Sequence, residues 1–217
     1  MSKTKDIREA VEKELGFDPL VDPASIVVKI MNGQVALNGT VPNYPQYLEA
    51  AAAAQRVSGV TKVHNHLEVV LPPGDQRDDS TLTTAADTAL AQNITVPYGV
   101  KATVKNGNLT LTGTVSYGSQ RTAAESAVAG LTGIRHLKDD IEIENDADPL
   151  DATQLIQDAL HRHALVADDS DVAVDAEGKA LTLTGHVRTL AEHDAVISAA
   201  WMANGVAEVR DNLSITG

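Results

Sequence analysis

His64 and His66 stand two residues apart in Val63-His-Asn-His-Leu67. On a strand that spacing puts both imidazoles on one face, where they could share a transition-metal ion. The related segments elsewhere in the chain carry Lys138 and Asp140, then Arg210 and Asn212, at the same places. Two solvent-facing histidines around Asn65 are therefore the preferred reading. His161 and His163 are also two apart, but they lie in a segment with helical periodicity, which points them to different faces. They read as surface histidines. Asp168-Asp-Ser-Asp171, followed by Asp175 and Glu177, offers the hard oxygen ligands that calcium needs. It lacks the alternating acids, central glycine and closing glutamate of a calcium-binding loop, and a solvated acidic loop accounts for it better.

Cysteine is absent, which removes thiolate metal sites, disulfides and cysteine nucleophiles together. No Gly-x-Ser-x-Gly elbow, phosphate-cradling Gly-x-x-x-x-Gly-Lys run or His-Glu-x-x-His pair occurs, so the usual supports for nucleophilic, phosphoryl-transfer and zinc-hydrolase chemistry are missing. Acidic side chains are plentiful, but they fall in linkers, helix faces and turns where solvation is their ordinary reason. The expectation is a protein that binds rather than catalyses, with no catalytic, cofactor-binding or metal-ligating residue assigned.

The elements that position these residues are set by a repeat. Val35-Ala-Leu37-Asn-Gly39-Thr-Val41 recurs as Leu109-Thr-Leu111-Thr-Gly113-Thr-Val115 and as Leu181-Thr-Leu183-Thr-Gly185-His-Val187, at offsets of 74 and 72 residues. A second block, Gly59-Val60-Thr-Lys-Val63-His-Asn65-His-Leu67-Glu-Val69, keeps both offsets in Gly133 to Ile143 and in Gly205 to Ile215. Two blocks holding one spacing across three copies establish three modules, over residues 1–72, 76–146 and 149–217.

Within each copy apolar residues alternate, as in Val28, Ile30, Val35, Leu37 and Val41, which predicts strands with one buried face. Asn32-Gly33 and Asn106-Gly107 suit two-residue hairpin turns, since both types tolerate positive φ. In the third copy Val174 and Leu181 are two residues further apart than Val104 and Leu109, which predicts a hairpin loop that projects further. Ala50, Ala53, Ala54 and Val57, with Ala124, Ala127, Val128 and Leu131, then Val196, Ala199, Ala200 and Ala203, follow helical spacing. Gly59, Gly133 and Gly205 are expected to cap those helices. A helix ahead of each hairpin is predicted from Ile7, Val11 and Leu15, from Leu82, Ala86 and Leu90, and from Leu155, Ala159 and Leu160. The fold class is thus α+β: three tandem αββαβ modules, each a three-stranded sheet with two helices. The linkers are short, so neighbouring modules are expected to touch.

Charge narrows the partners. The chain carries a formal charge of -13, rising from -1 over residues 1–74 to -4 over 75–147 and -8 over 148–217. Nucleic acid is disfavoured by such a surface. No apolar run has signal-peptide or membrane-spanning length, and a cytoplasmic protein without a transmembrane segment is expected. Threonines on the outward side of the second strands, Thr110, Thr112 and Thr114, then Thr182 and Thr184, are good strand formers and form a binding face only if it is uncovered. Copy-specific features are Val41-Pro-Asn-Tyr-Pro45 with Tyr47, and Trp201-Met202, where Trp201 is expected to pack on a neighbouring module.

The glycine closing the second strand (Gly39), the Ala-rich helix, and Gly-Val-x-x-Val-x-Asn-x-Leu-x-Val at 59–69 with its two relatives resemble the BON family, over nearly the whole chain. The resemblance implies an αββαβ fold, a non-enzymatic role in osmotic or envelope stress, and contact with phospholipid or protein partners. Its alternative implication is a small ligand or monovalent cation such as potassium, held by backbone carbonyls. The relative that suggests potassium also carries a LysM module, and no LysM-like segment occurs here.

Overall fold

The computed structural model describes residues 3–31, 34–144, 171–177, 180–203, 206 and 208–216, together with Thr153, Ile156 and Asp158. Two compact units emerge from the contacts, one of residues 1–86, 104–109 and 129–138, the other of 87–103, 110–128 and 139–217.

In the first module, α1 (Lys3–Phe17) turns Ile7, Val11 and Leu15 inward, and all three are buried. The strands β1 (Ile26–Met31) and β2 (Gln34–Val41) form an antiparallel hairpin, and β3 (Lys62–Val69) joins β2 in parallel. Between β2 and β3 runs α2 (Tyr44–Gln55), since a parallel partner can be reached only by a crossover. Asn43 caps this helix, its Oδ1 accepting the Gln46 N–H at 2.9 Å, and Pro45 occupies the first turn, where its missing N–H costs nothing. The core is Val28, Val35, Leu37, Val41, Leu67 and Val69 on the sheet against Ala50, Ala53 and Ala54 on the helix, all buried. Alanine along that stripe lets helix and sheet approach closely.

The third module repeats the plan with β7 (Val172–Glu177), β8 (Ala180–Val187), α5 (Leu190–Met202) and β9 (Glu208–Ile215), again antiparallel then parallel. Thr189 caps α5 by accepting the Glu192 N–H, and the Glu192 carboxylate returns to accept the Arg188 N–H at 2.7 Å, which seals the helix start on both sides. The second module comprises α3 (Asp79–Gln92), β4 (Lys101–Lys105), β5 (Asn108–Val115), α4 (Gly118–Ala129) and β6 (His136–Ile143), with sheet order β4-β5-β6. Asn106 and Gly107 both have positive φ, 53° and 77°, the conformation its two-residue turn demands. The architecture is three tandem α+β modules.

One close approach recurs. Gly39, Gly113 and Gly185 have φ of 125°, 137° and 124°. A Cβ built on Gly39 would lie 1.9 Å from the Ser25 carbonyl oxygen, one on Gly185 1.7 Å from that of Asp171, and one on Gly113 2.5 Å from that of Gly99. Each glycine therefore lets the chain enter the first strand directly across the second, as in the pairing of Ile26 with Gly39 and Val172 with Gly185. Gly59 and Gly133 act at a different place. The helices α2 and α4 end at Gln55 and Ala129, each two residues before the last position of its predicted stripe, and Gly59 (φ 86°) occupies the turn closed by Val60 N–H to Val57 C=O. A side chain there would meet Ile7 Cδ1 at 3.2 Å, and one at Gly133 would meet Leu82 Cδ2 at 3.0 Å. These glycines make room for the first helix of their module rather than capping the second. Gly205 lies outside the described residues.

A second recurring device ties the second helix to the last strand. Asn65 Nδ2 donates to the Tyr47 carbonyl at 2.7 Å. At the equivalent places Arg121 Nε pairs with Asp139 at 3.0 Å, and His193 Nε2 lies 2.9 Å from Asp211 Oδ2. In every copy the same strand side chain also accepts the N–H two residues on, at Leu67, Ile141 and Leu213. Asp194 first, then Asp211, raise the His193 pKa above the ordinary imidazole range, with burial opposing them.

Two further expectations need correction. The third hairpin does not project further: Glu177 pairs with Ala180 as Met31 pairs with Gln34, and Val174 opposes Leu183 as Val28 opposes Leu37. The counterpart of Val174 in the second copy is thus Ala102 rather than Val104. Asp175 and Glu177 are strand residues of β7 rather than parts of a loop, while Asp168 to Ser170 lie outside the described residues. In the third module's first helix Ile156 is buried at 1% exposure; Leu155, Ala159 and Leu160, expected on its inward stripe, lie outside the described residues, as do Asn32-Gly33, His161 and His163.

Two outcomes follow for stability. Gly39→Ala is expected to lose about 2–4 kcal/mol in urea unfolding, because backbone must move and φ is unfavourable for alanine, whereas Gly74→Ala, whose Cβ meets nothing within 4 Å, should be near neutral. The stabilisation from protonated His193 is fully present below its unfolded pKa of about 6.5 and lost as pH rises through the higher folded value. His193→Gln should therefore differ from the parent by a few tenths to about 1 kcal/mol near pH 6, after screening of partly exposed carboxylates, and the difference should shrink by pH 9. A constant difference across that range would remove the imidazolium from the account.

Candidate functional site

Each sheet buries one face beneath its helices and leaves the other open. On the open face of the first sheet Val27 opposes Asn38, which opposes His66, and Lys29 opposes Ala36, which opposes His64. His64 and His66 stack with centroids 6.2 Å apart and planes within 4°, and His64 Nε2 lies 3.2 Å from Gln34 Oε1. They share a face as their spacing predicts, but among the described residues no group of three or more potential metal ligands gathers anywhere. The threonine ladder is on the open side too: Thr112, Thr114 and Thr184 are exposed, so the first helix covers the opposite face. Val27 and Met31 add apolar surface at 56% and 73% exposure.

Trp201 packs rather than projects. Its ring lies against the third module's core cluster, the Arg121 guanidinium sits 4.7 Å from its centroid, and Gly118 is so close that an added Cβ would stand 2.6 Å from the Trp201 carbonyl oxygen. Helices α4 and α5 thus meet at a glycine, as the short linkers lead one to expect. In the first module the tyrosines are likewise structural: Tyr44 is buried and stacks on Tyr47 at 5.4 Å. Gly118 carried no signal in the sequence, since its counterparts are Tyr44 and Leu190.

The loops between first helix and first strand hold what sequence reasoning missed. In the first module Asp18 Oδ1 accepts the Leu20 N–H at 2.9 Å and Asp18 C=O accepts the Val21 N–H. In the second, Asn93 Oδ1 accepts the Thr95 N–H at 3.0 Å and Asn93 C=O accepts the Val96 N–H. This local turn is the one that Asp and Asn side chains favour. It leaves Phe17 and Leu20 exposed in one module and Ile94 and Tyr98 fully exposed in the other. Beside Ile94 and Tyr98 lies a groove of about 700 Å³ floored by Leu90, Val96 and Val100, with Lys101 at its edge. Asp87 lines it as well, but its Oδ1 is turned to the Ala102 N–H at 3.4 Å. The arrangement offers apolar surface on ordered backbone, which is binding chemistry. Among the described residues no helix is long and apolar enough to cross a membrane.

Comparison with known proteins agrees with this plan. Osmotically-inducible protein Y of Escherichia coli (strain K12) is 31% identical over 131 residues, a match that spans 56% of this chain and 63% of that protein's length. Among solved structures, CdsD, a structural protein of the type III secretion system of Chlamydia trachomatis, is 16% identical with 97% of this chain and 92% of that chain covered, at a TM-score of 0.27. The PrgH periplasmic domain is 8% identical with 88% and 95% covered, at a TM-score of 0.24. Likenesses of that size carry no argument. The model of one family, the BON domain, matches residues 3–70, 78–145 and 150–217, and with three matches spanning nearly the whole sequence the chain belongs to the BON domain family.

Proposed function

We propose that this chain is a non-catalytic binding protein of the osmotic or envelope stress response, and that it contacts phospholipid surfaces through the loops between first helix and first strand. The observation that carries the proposal is Ile94 and Tyr98, both fully exposed on a hydrogen-bonded loop beside an apolar groove. Leu20 and Phe17 occupy the corresponding loop of the first module. The similarity to Osmotically-inducible protein Y supports the stress role.

With a formal charge of -13 the chain as a whole is not drawn to anionic surfaces, so the attraction in this reading is apolar. Side chains such as Tyr and Ile can enter the boundary between headgroups and acyl chains, in proportion to the area they bury. Binding of this kind resists salt, unlike binding by basic patches.

Flotation with phosphatidylcholine vesicles tests it. The protein should rise with the vesicles equally at low and physiological salt, and the Ile94→Ser/Tyr98→Ser variant should float several-fold less while keeping its circular dichroism. Absence of flotation under every lipid and salt condition would overturn the lipid reading and direct the search to protein partners.

A further inference from the structure

The second module contains a depression of about 490 Å³ that the lipid reading does not use, lined in part by Arg77, Arg135, Asp78 and Asp79. Two positive-φ glycines form its floor. The Arg135 stem lies over Gly107, where a Cβ would meet its Cγ and Cδ at 3.1 Å, and the Arg77 stem lies over Gly133 at the same distance. Arg135 is fixed at its backbone as well, its N–H donating to the Gly107 carbonyl at 2.9 Å.

The carboxylates beside them face inward in their bonding. Asp79 accepts the Asn106 and Gly107 N–H groups at 2.8 and 3.0 Å, holding the hairpin turn. Asp78 accepts the hydroxyls of Ser80 and Thr81 and the Thr81 N–H, and the Ser80 bond above all holds its carboxyl well below the usual range. The guanidinium groups are differently placed. Arg77 spends one nitrogen, Nη1, on the carbonyls of Gly74 and Gln76 at 2.8 and 2.9 Å. The Arg135 guanidinium has no hydrogen bond or ion pair with another described residue. Acceptors here are occupied, while among the described residues nothing takes the Arg135 guanidinium donors or Arg77 Nε and Nη2.

The repeat supplies an internal control. The residues equivalent to Arg135 are Thr61 and Ala207, and when the first helices are aligned on Ile7, Leu82 and Ile156 those equivalent to Arg77 are Ser2 and Asp151. The same fold is therefore specified twice without either guanidinium, so folding does not explain them. Two planar forks whose remaining donors have no partner among the described residues match an anion that has acceptors on more than one side, which a phosphate group has and a single carboxylate lacks. The acidity of the rest of the chain is screened beyond about 8 Å at physiological salt.

We infer that Arg77 and Arg135 form a binding site for a phosphate group in the second module. It stands apart from the lipid reading, which rests on Ile94 and Tyr98. Arginine side-chain NMR on the full chain, at constant ionic strength, provides the test with four probes: inorganic phosphate, glycerol phosphate, vesicles containing phosphatidic acid, and acetate. The Nε–H signals of Arg77 and Arg135 should shift saturably with phosphate probes and not with acetate. Arg135→Gln should weaken binding at least about tenfold, with Arg135→Lys between it and the parent, and circular dichroism unchanged. A response to the soluble probes marks a free phosphate compound as the source, and one to phosphatidic acid vesicles alone marks a lipid headgroup. Shifts that are unsaturable, equal with acetate, or undiminished in Arg77→Gln/Arg135→Gln overturn the site.

Discussion

Everything in a module depends on how closely the first strand's approach crosses the second strand. At Gly39 and Gly185 a carbonyl oxygen occupies the space a side chain would need, 1.9 and 1.7 Å from the Cβ position, so the hairpin can close only over glycine. That closure brings Ile26 opposite Gly39 and sets the register in which Val28, Leu37 and Leu67 share one face. A shift of one residue would send the whole apolar set to the solvent side. The helices then find a continuous apolar surface, and a crossing too tight for alanine is what places it under them.

Positions with one geometric duty tolerate different chemistry. The tie between second helix and last strand is an amide to a backbone carbonyl at Asn65, an Arg–Asp ion pair at Asp139 and an imidazole–carboxylate pair at Asp211. What stays constant is the Oδ1 of the strand residue, which accepts the N–H two residues on and bends the side chain back over its own strand. Asn and Asp are the residue types built for that local bond. The variable half of the tie is then free to respond to pH in one module, to recruit an aromatic ring in another, and to stay neutral in the first.

Much of this was legible in the sequence, for identifiable reasons. Strand alternation and the 74- and 72-residue offsets gave strands, helices and repeat number because register and burial leave a period in residue type. Ile156, buried at 1% exposure, was not on the expected stripe: adjacent apolar residues fit a helical stripe in either phase, and periodicity alone does not choose. The third hairpin failed for another reason, since Val174 was matched to a residue of the same type rather than to Ala102, its structural equivalent. Histidines that share a face were readable from spacing, but the missing third ligand is a matter of distance across the sheet. The exposed Ile94 and Tyr98 left no trace, because an apolar residue in a loop looks the same whether it turns inward or out.

Repetition itself separates fold from function in this chain. Residues kept in all three copies, such as Gly39, Gly113 and Gly185, answer to the backbone, and substituting them would report on folding alone. Residues present in one copy cannot be demanded by a fold that forms twice without them. Ile94, Tyr98, Arg77 and Arg135 all belong to that class and all lie in the second module, where the formal charge of -4 falls between the -1 and -8 of its neighbours. The third module's open face carries Asp175, Glu177 and Glu208 around Arg210, an arrangement that repels anionic surfaces and favours water. Tandem copies of a small module thus permit a division of labour that one copy cannot: the shared crossing keeps each sheet in register, and side chains outside it are released from folding to meet different ligands.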